Sequence, residues 1–586
     1  MLDSIPIPVQ AVLWPLLGAV VVLGLRRRLP NWLRRTIAAV AAAASLATLW
    51  SLRGDASPET VDLTWGSLDF FRMGLVLYPH GLSILAGIVL AGVTAAAALG
   101  TSPNGVDGQR THWHGLILLA LSGCLATVLA ANLLTLAFGS GLLALAVTAL
   151  AAAGAPAGDE RPWPPLATAV PGVAATLLVY LSALRMDAQI GHASLQGRAF
   201  SPSALAFLGT AGVLWLLSFP IRTANRPQNI VSYLLPCGTG LYLLARVQAL
   251  APVLNSQPWP LILAGLMLLA GGLLAWLYGV WPGIAVHQAG YGLAFIVLWG
   301  SASPVPWPLV GLTLALSVLA ISAAAGNGAN GQAPAGRSPW APRWLEPAYH
   351  WTGLAWLVGR IEPWWAKVRS YIRSHLPKRP WLSWLSRLLV VLLPSVALAS
   401  LAGLPFTVGA IGRWHLYGGI LGQGQAALLL VVLLSDSLLI AGLWAVLRAV
   451  LEQKGRVSFA GAAAMLALVL ALVVWGVAPN RLSSAVGLSP IRSSGVSAWG
   501  IGLLYILPWL IGTWLAYAGA RRPVTIDRLR DIARSSRVDR LYQAVAWVGA
   551  RLAGAVYWLG QVGEGGGWWG WALIVLAVGV LLSVAR

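Results

Sequence analysis

The chain has 586 residues, of which 58% are hydrophobic and only 9% charged, against roughly 25% charged residues in a soluble globular protein. No water-soluble core could bury that much apolar surface, so composition excludes a soluble enzyme and leaves a polytopic membrane protein. The net charge of +21 would suggest nucleic acid in a soluble chain. Here the basic residues sit in short loops beside apolar runs, which is the positive-inside pattern and a surface for anionic membrane lipids, with no nucleic-acid partner implied.

Apolar runs able to cross about 30 Å of hydrocarbon are read near 8–25, 36–52, 81–99, 113–131, 133–153, 166–184, 203–221, 229–250, 259–279, 283–300, 306–325, 387–403, 406–421, 425–447, 458–477, 498–519 and 568–585. Some are short or interrupted, so about 14 to 17 spans are expected. The first run follows Asp3 and has no small-residue cleavage site, so it reads as a retained helix rather than a signal peptide. Arg26, Arg27, Arg28, Arg34 and Arg35 place the first loop inside. Loop 53–79, with Asp55, Glu59, Asp62 and Asp69, fits the outside. Alternation then puts 326–386 inside, with Arg337, Arg343, Arg360, Lys367, Arg369, Arg373, Lys378 and Arg379. Cys124 and Cys237 lie in apolar stretches and read as small buried residues. No metal-ligand spacing or nucleotide loop is present, so no cofactor and no metal is expected.

The expected organisation is an all-α membrane protein in five blocks. Residues 1–80 hold N-terminal helices and an external loop, and 81–325 a first helix set. Residues 326–386 form a cytoplasmic linker and an interfacial amphipathic segment. Within it, 326–339 is flexible by composition, while Trp344, Trp351, Trp356, Trp364 and Trp365 alternate with basic residues at headgroup level. Residues 387–520 hold a second helix set with a broken helix. Residues 521–586 hold a lateral amphipathic helix (524–560) and a final span.

Seventeen carboxylates occur in all, and Asp436, in VVLLSDSLLIAGLW, is the one expected mid-span. Arg413 is expected on a neighbouring helix, forming an ion pair with it. Two roles stay open: part of a proton half-channel, or a buried pair that locks the broken helix. An arginine does not deprotonate in proteins, which weighs against the first. His287, beside Gln288, and His415, beside Arg413, either shuttle protons or are simply hydrogen-bonded. Arg222 and Arg246 are expected near helix ends, reaching to the interface. His112 and His114 are expected in a loop. Pro405 is expected to interrupt a helix, with Gly403 and Gly409 as its hinge. Such breaks are tolerated only where they face protein or water, and their free ends can hold ions.

Four blocks resemble the antiporter-like membrane subunits of respiratory complex I, shared with membrane hydrogenases and multisubunit cation/proton antiporters. The clearest is Ser400 to Trp414, SLAGLPFTVGAIGRW, at the family's second broken helix. Gly81-Leu82-Ser83 with Ala131-Asn132-Leu133-Leu134-Thr135-Leu136 is the second. Phe219-Pro220, Val231-Ser232 and Gly240 to Arg246 form the third, at the first broken helix, and Gln288 to Tyr291 is the fourth. Gly563 to Trp568 is similar to a turn before the last helix in some members. The resemblance implies a non-redox subunit, without cofactors, of a proton-translocating NADH:quinone oxidoreductase or related complex. Its partners would be other membrane and peripheral subunits, in the multi-pass plasma membrane setting of a prokaryote.

The departures bear on translocation. The positions of the usual Glu and Lys carriers fall at Gly141, Trp215 and near Tyr278. The Asp before Gly-Leu-Ser is His80, the histidine after the Phe-Pro pair is Arg222, and Arg413 stands where Lys or Glu is usual. An intramembrane charge costs about 2.5–3.5 kcal/mol or more, so a lineage that stops needing it should lose it. Partial or lost translocation with a structural role is therefore expected. A stand-alone cation/proton antiporter and a glycosyltransferase using a lipid-linked sugar, with Asp55, Glu59, Asp62 and Asp69 as acids, are the alternatives.

Overall fold

The computed structural model describes residues 5–25, 29–53, 61–68, 71–100, 112–153, 172, 174–179, 202–218, 227–250, 258–278, 281–299, 307–327, 380–452, 459–485 and 498–521. Its helices are α1 (Ile7–Gly24), α2 (Asn31–Ser51), α3 (Gly81–Gly100), α4 (Trp113–Leu129), α5 (Leu133–Ala153), α6 (Pro202–Leu217), α7 (Pro227–Leu250), α8 (Trp259–Tyr278), α9 (Trp281–Trp299) and α10 (Trp307–Asn327). They continue with α11 (Pro380–Leu401), α12 (Val408–Gly422), α13 (Ala426–Glu452), α14 (Phe459–Val477), α15 (Pro479–Ala485) and α16 (Ala498–Arg521). The all-α polytopic expectation holds. Among the described residues seven helices, namely α1, α3, α5, α8, α13, α14 and α16, are long and apolar enough to cross a membrane. The shorter apolar helices α4, α6, α9 and α11 complete the pattern.

Apolar side chains surround these helices on all sides, as is usual for buried or lipid-facing helices. Position in the bundle therefore decides which faces meet protein. In α3, 89% of the span is buried inside the molecule, against 17% for α16, so α3 is central and α16 lines the outside. Consecutive helices pack as antiparallel pairs, α1 with α2, α4 with α5, and α8 with α9. Helix α8 also lies along α13, and α13 along α16.

Part of the expected external loop is instead a β-hairpin. Strands β1 (Val61–Leu68) and β2 (Phe71–Leu77) pair antiparallel, from Val61 opposite Leu77 to Leu68 opposite Phe71. The alternation of Val61, Leu63 and Trp65 with Asp62, Thr64 and Gly66 is a period-2 signal, which the acidic reading of this loop overlooked. The hairpin is stitched to the α4–α5 corner. Leu77 bridges Ala130, Tyr78 N–H donates to the Leu129 carbonyl (2.8 Å), and Ala131 N–H donates to the Val76 carbonyl (2.8 Å). Val76 N–H also donates to Thr135 Oγ1 (2.8 Å).

At the N-terminal end, α2 starts at Asn31, so Arg34 and Arg35 lie in its first turns rather than in a loop. Arg35 Nε donates to the Ala98 carbonyl at the C-terminal end of α3 (3.2 Å), where a cation suits the helix dipole. His114 likewise lies in the first turn of α4 and is buried, not in a loop. The interfacial segment 341–376, the lateral helix 524–560, the final span, the Gly563 turn, Arg222 and the interruption after Phe219 lie outside the described residues.

Candidate functional site: a buried charge cluster at a broken helix

The sequence from Ser400 to Thr407 stops one helix and starts another. Gly403 adopts φ +81°, the left-handed conformation that glycine reaches without strain. Around it Leu404 N–H donates to the Ala399 carbonyl (2.7 Å) and Gly403 N–H to the Ser400 carbonyl (2.9 Å). This pair of bonds is the Schellman stop, with Gly403 at C′. The glycine rather than Pro405 therefore ends α11, and Pro405 follows where it can no longer cost a helical bond. Phe406 also has positive φ, +68°, which is strained for a residue with a side chain. Thr407, in an extended conformation, precedes α12. At Gly409 the first turn of α12 lies directly on the Ser400 carbonyl, leaving no room for a side chain.

A Schellman stop leaves the last carbonyls of α11 without helical partners. Arg413, on the second turn of α12, reaches back to them. Its Nη2 donates to the Leu401 carbonyl (2.7 Å) and its Nη1 to the Ala402 carbonyl. Gln288 Nε2 on α9 also approaches the Leu401 carbonyl (3.3 Å). A cation at a helix C-terminus is favoured by the dipole, and the planar guanidinium can serve two carbonyls at once.

The same guanidinium meets Asp436 of α13, Nη2 to Oδ1, at 3.2 Å. The carboxylate is fully buried and the arginine is 4% exposed. His287 on α9 approaches the same oxygen with Nε2 at 3.3 Å. Tyr417, one turn after Arg413 on the same helix face, donates to Oδ2 at 2.6 Å. Neither approach to Oδ1 is aligned as a hydrogen bond, and the Tyr291, Tyr505 and Ser400 hydroxyls and both His287 nitrogens are buried without hydrogen-bond partners. Tyr291 lies one turn beyond His287. Tyr505 comes from α16, and its ring meets Tyr417 edge-on at 6.3 Å. Buried polar atoms left unpaired by protein are the usual seats of internal water.

The structure thus brings together Arg413, Asp436 and His287, with Gly403 and Gly409 shaping the break. It sets His415 apart, two residues along α12 on another face. There its ring packs edge-on against Trp299 at 5.5 Å, whose Nε1 donates to the His415 carbonyl at 2.7 Å. Tyr417, Tyr291, Tyr505 and Ser400 were not anticipated. The i+4 spacings Arg413–Tyr417 and His287–Tyr291 carried a signal for two of them. Tyr505 joins only through the packing of α16.

Elsewhere, Trp215 fills its position with a fully buried indole. A Cβ at Gly141 would make an ordinary contact with Thr176 Cγ2 at 3.7 Å. Arg246 is 7% exposed, and its Nη1 donates to Tyr242 Oη at 2.6 Å. Among the described residues no group of three His, Cys, Asp or Glu could hold a metal.

No family model matches the sequence, and no curated protein matches it. Solved structures do resemble the fold. A chain of the Mrp complex from Dietzia sp. DQ12-45-1b aligns over 99% of this chain, at 17% identity and TM-score 0.62, and this chain spans 63% of that one. A chain of the membrane-bound sulfane sulfur reductase, an archaeal respiratory membrane complex, aligns over 98% of this chain and 99% of its own, at 17% identity and TM-score 0.61. A chain of respiratory complex I from Thermus thermophilus aligns over 87% of this chain and 99% of its own, at 16% identity and TM-score 0.54. The chain therefore shares the fold of membrane chains from multisubunit complexes.

Proposed function

We propose that this chain is an antiporter-like subunit of the membrane arm of a complex I-type assembly, and that its charge cluster holds the broken helix together rather than relaying pumped protons. The fold likeness supports the class by analogy. The observation that carries the second part is the position of Arg413. Its guanidinium is committed to two α11 carbonyls and to Asp436 together. Such a group cannot release a proton, and moving it would strand a buried carboxylate. Asp436 is also the one carboxylate among the described residues that lies inside an apolar helix, since Asp62 is in the hairpin and Glu452 ends α13. At Trp215 an apolar ring fills a position where the resemblance places a carrier.

The subunit would hold no cofactor and would work through membrane and peripheral partner subunits in the plasma membrane of a prokaryote. The test is the number of protons moved per electron by the reconstituted assembly. Arg413→Met combined with Asp436→Asn removes both charges with little change in volume. An unchanged ratio in an assembly of normal composition is expected. A lower ratio in an intact assembly would give the cluster a translocating role. Sodium-dependent proton flux in vesicles holding this chain alone would instead favour a stand-alone antiporter.

A further inference from the structure

A second buried arginine, Arg246, has no carboxylate partner among the described side chains. Arg246 is 7% exposed, and its side chain makes a single hydrogen bond, to Tyr242 Oη. That hydroxyl in turn donates to the Val128 carbonyl at 2.6 Å, so it is fixed as an acceptor toward the arginine. The guanidinium also leans over the Tyr242 ring at 5.9 Å. Among the described side chains Asp436 is the one carboxylate, and its ion pairs are with His287 and Arg413. The end of α7 nearby supplies about half a negative charge, which leaves the rest uncompensated. A buried cation without a counterion is costly.

His80 stands beside it. The ring stacks on Tyr78 at 6.0 Å and lies 6.2 Å from the Tyr242 ring. Its Nδ1 is buried with no hydrogen-bond partner. The surrounding frame is rigid. Ser83 Oγ donates to the His80 carbonyl at 2.7 Å, and Tyr78 is tied to the end of α4. The start of α3, the end of α4, the start of α5 and the last turns of α7 meet here.

The geometry points to an oxyanion site in which Arg246 and His80 together receive a phosphate group, from a lipid headgroup or from free phosphate. A guanidinium with unused donors matches phosphate oxygens in a forked arrangement, and the imidazole can give a further N–H. Burial and the nearby Arg246 charge push the His80 pKa down to about 3. A bound anion would offset the Arg246 part of that shift.

The experiment uses the full-length chain, purified in non-ionic detergent and stripped of lipid, with thermal unfolding followed against added ligand. One arm adds inorganic phosphate, a second adds phosphatidylglycerol micelles, and a third adds acetate. Stabilisation by inorganic phosphate identifies a free-anion site, and stabilisation by phosphatidylglycerol alone a headgroup site; both support the proposal. His80→Asp keeps the frame but supplies the missing counterion, and should weaken phosphate binding roughly tenfold or more. Arg246→Lys keeps the charge and loses the fork, and should weaken it less. No stabilisation in either phosphate arm, equal stabilisation of His80→Asp, or acetate acting as well as phosphate would overturn the assignment. The last result would mark the site as a socket for an acidic side chain of a partner subunit.

Discussion

Two of the buried arginines, Arg413 and Arg246, divide this molecule. Arg413 sits at the junction of α9, α11, α12 and α13 with a carboxylate, two carbonyls and a histidine around it. Arg246 sits under the hairpin with one tyrosine hydroxyl and, among the described side chains, no carboxylate. The same side chain at similar burial is thus paired with a carboxylate in one half and, among the described side chains, with none in the other. Burial by itself says little about role; the identity of the neighbours decides whether a charge is structural or waits for something from outside.

The largest expected contrast comes from removing counterions. Asp436→Ala should cost about 3–5 kcal/mol, because it leaves Arg413 buried and unpaired. Adding Arg413→Met should recover most of that loss. Arg246→Met should cost less than about 1 kcal/mol, since the lost hydrogen bond is offset by the removed charge. Unfolding of the purified chain in one detergent measures all three, and equal costs for Asp436→Ala and Arg246→Met would erase the contrast.

Next in size is the forked grip on the broken helix. Arg413→Lys keeps the cation but cannot span the Leu401 and Ala402 carbonyls as the guanidinium does, and a loss of about 2 kcal/mol is expected. Gly403→Ala should cost about 1–2 kcal/mol through its left-handed backbone, and more because a Cβ would lie 2.7 Å from Arg413 Cδ. Hydrogen exchange at Gly403 and Leu404 should rise in both variants. Unchanged protection would show that the stop does not depend on this contact.

The smallest effect concerns acid. The folded-state pKa of His80 lies near 3, below its ordinary 6.5. Its contribution to stability is therefore present above about 6.5 and is lost as pH falls from there toward 3. Arg246, Tyr242 and Tyr78 are the charged or titratable groups around it. His80→Asn should flatten this acid slope while leaving the curve near neutrality unchanged. A slope identical to that of the parent chain would place the acid sensitivity elsewhere.

Much of this was written in the sequence at the level of pattern. Apolar run length marked the spans, and Gly-Leu-Pro marked the interruption. Asp436 stood out because a lone carboxylate in an apolar run must be paired. What the pattern could not carry was three-dimensional convergence. Whether Arg413 faced Asp436, and His415 did not, depended on helix rotation that two positions cannot fix. The use of Arg413 as a cap on α11 required the Schellman geometry at Gly403. The hairpin was lost because its acidic residues read as loop charge, although Val61, Leu63 and Trp65 alternated. Tyr505 lies almost seventy residues from Asp436 (505 − 436 = 69), beyond any local periodicity.

The interrupted helix has a further consequence. Exposed carbonyl oxygens at such a gap are the ligands that a dehydrated monovalent ion seeks. In this chain a tethered guanidinium already occupies them. The gap is self-occupied, so sodium and potassium compete for those oxygens against a tenant that cannot diffuse away.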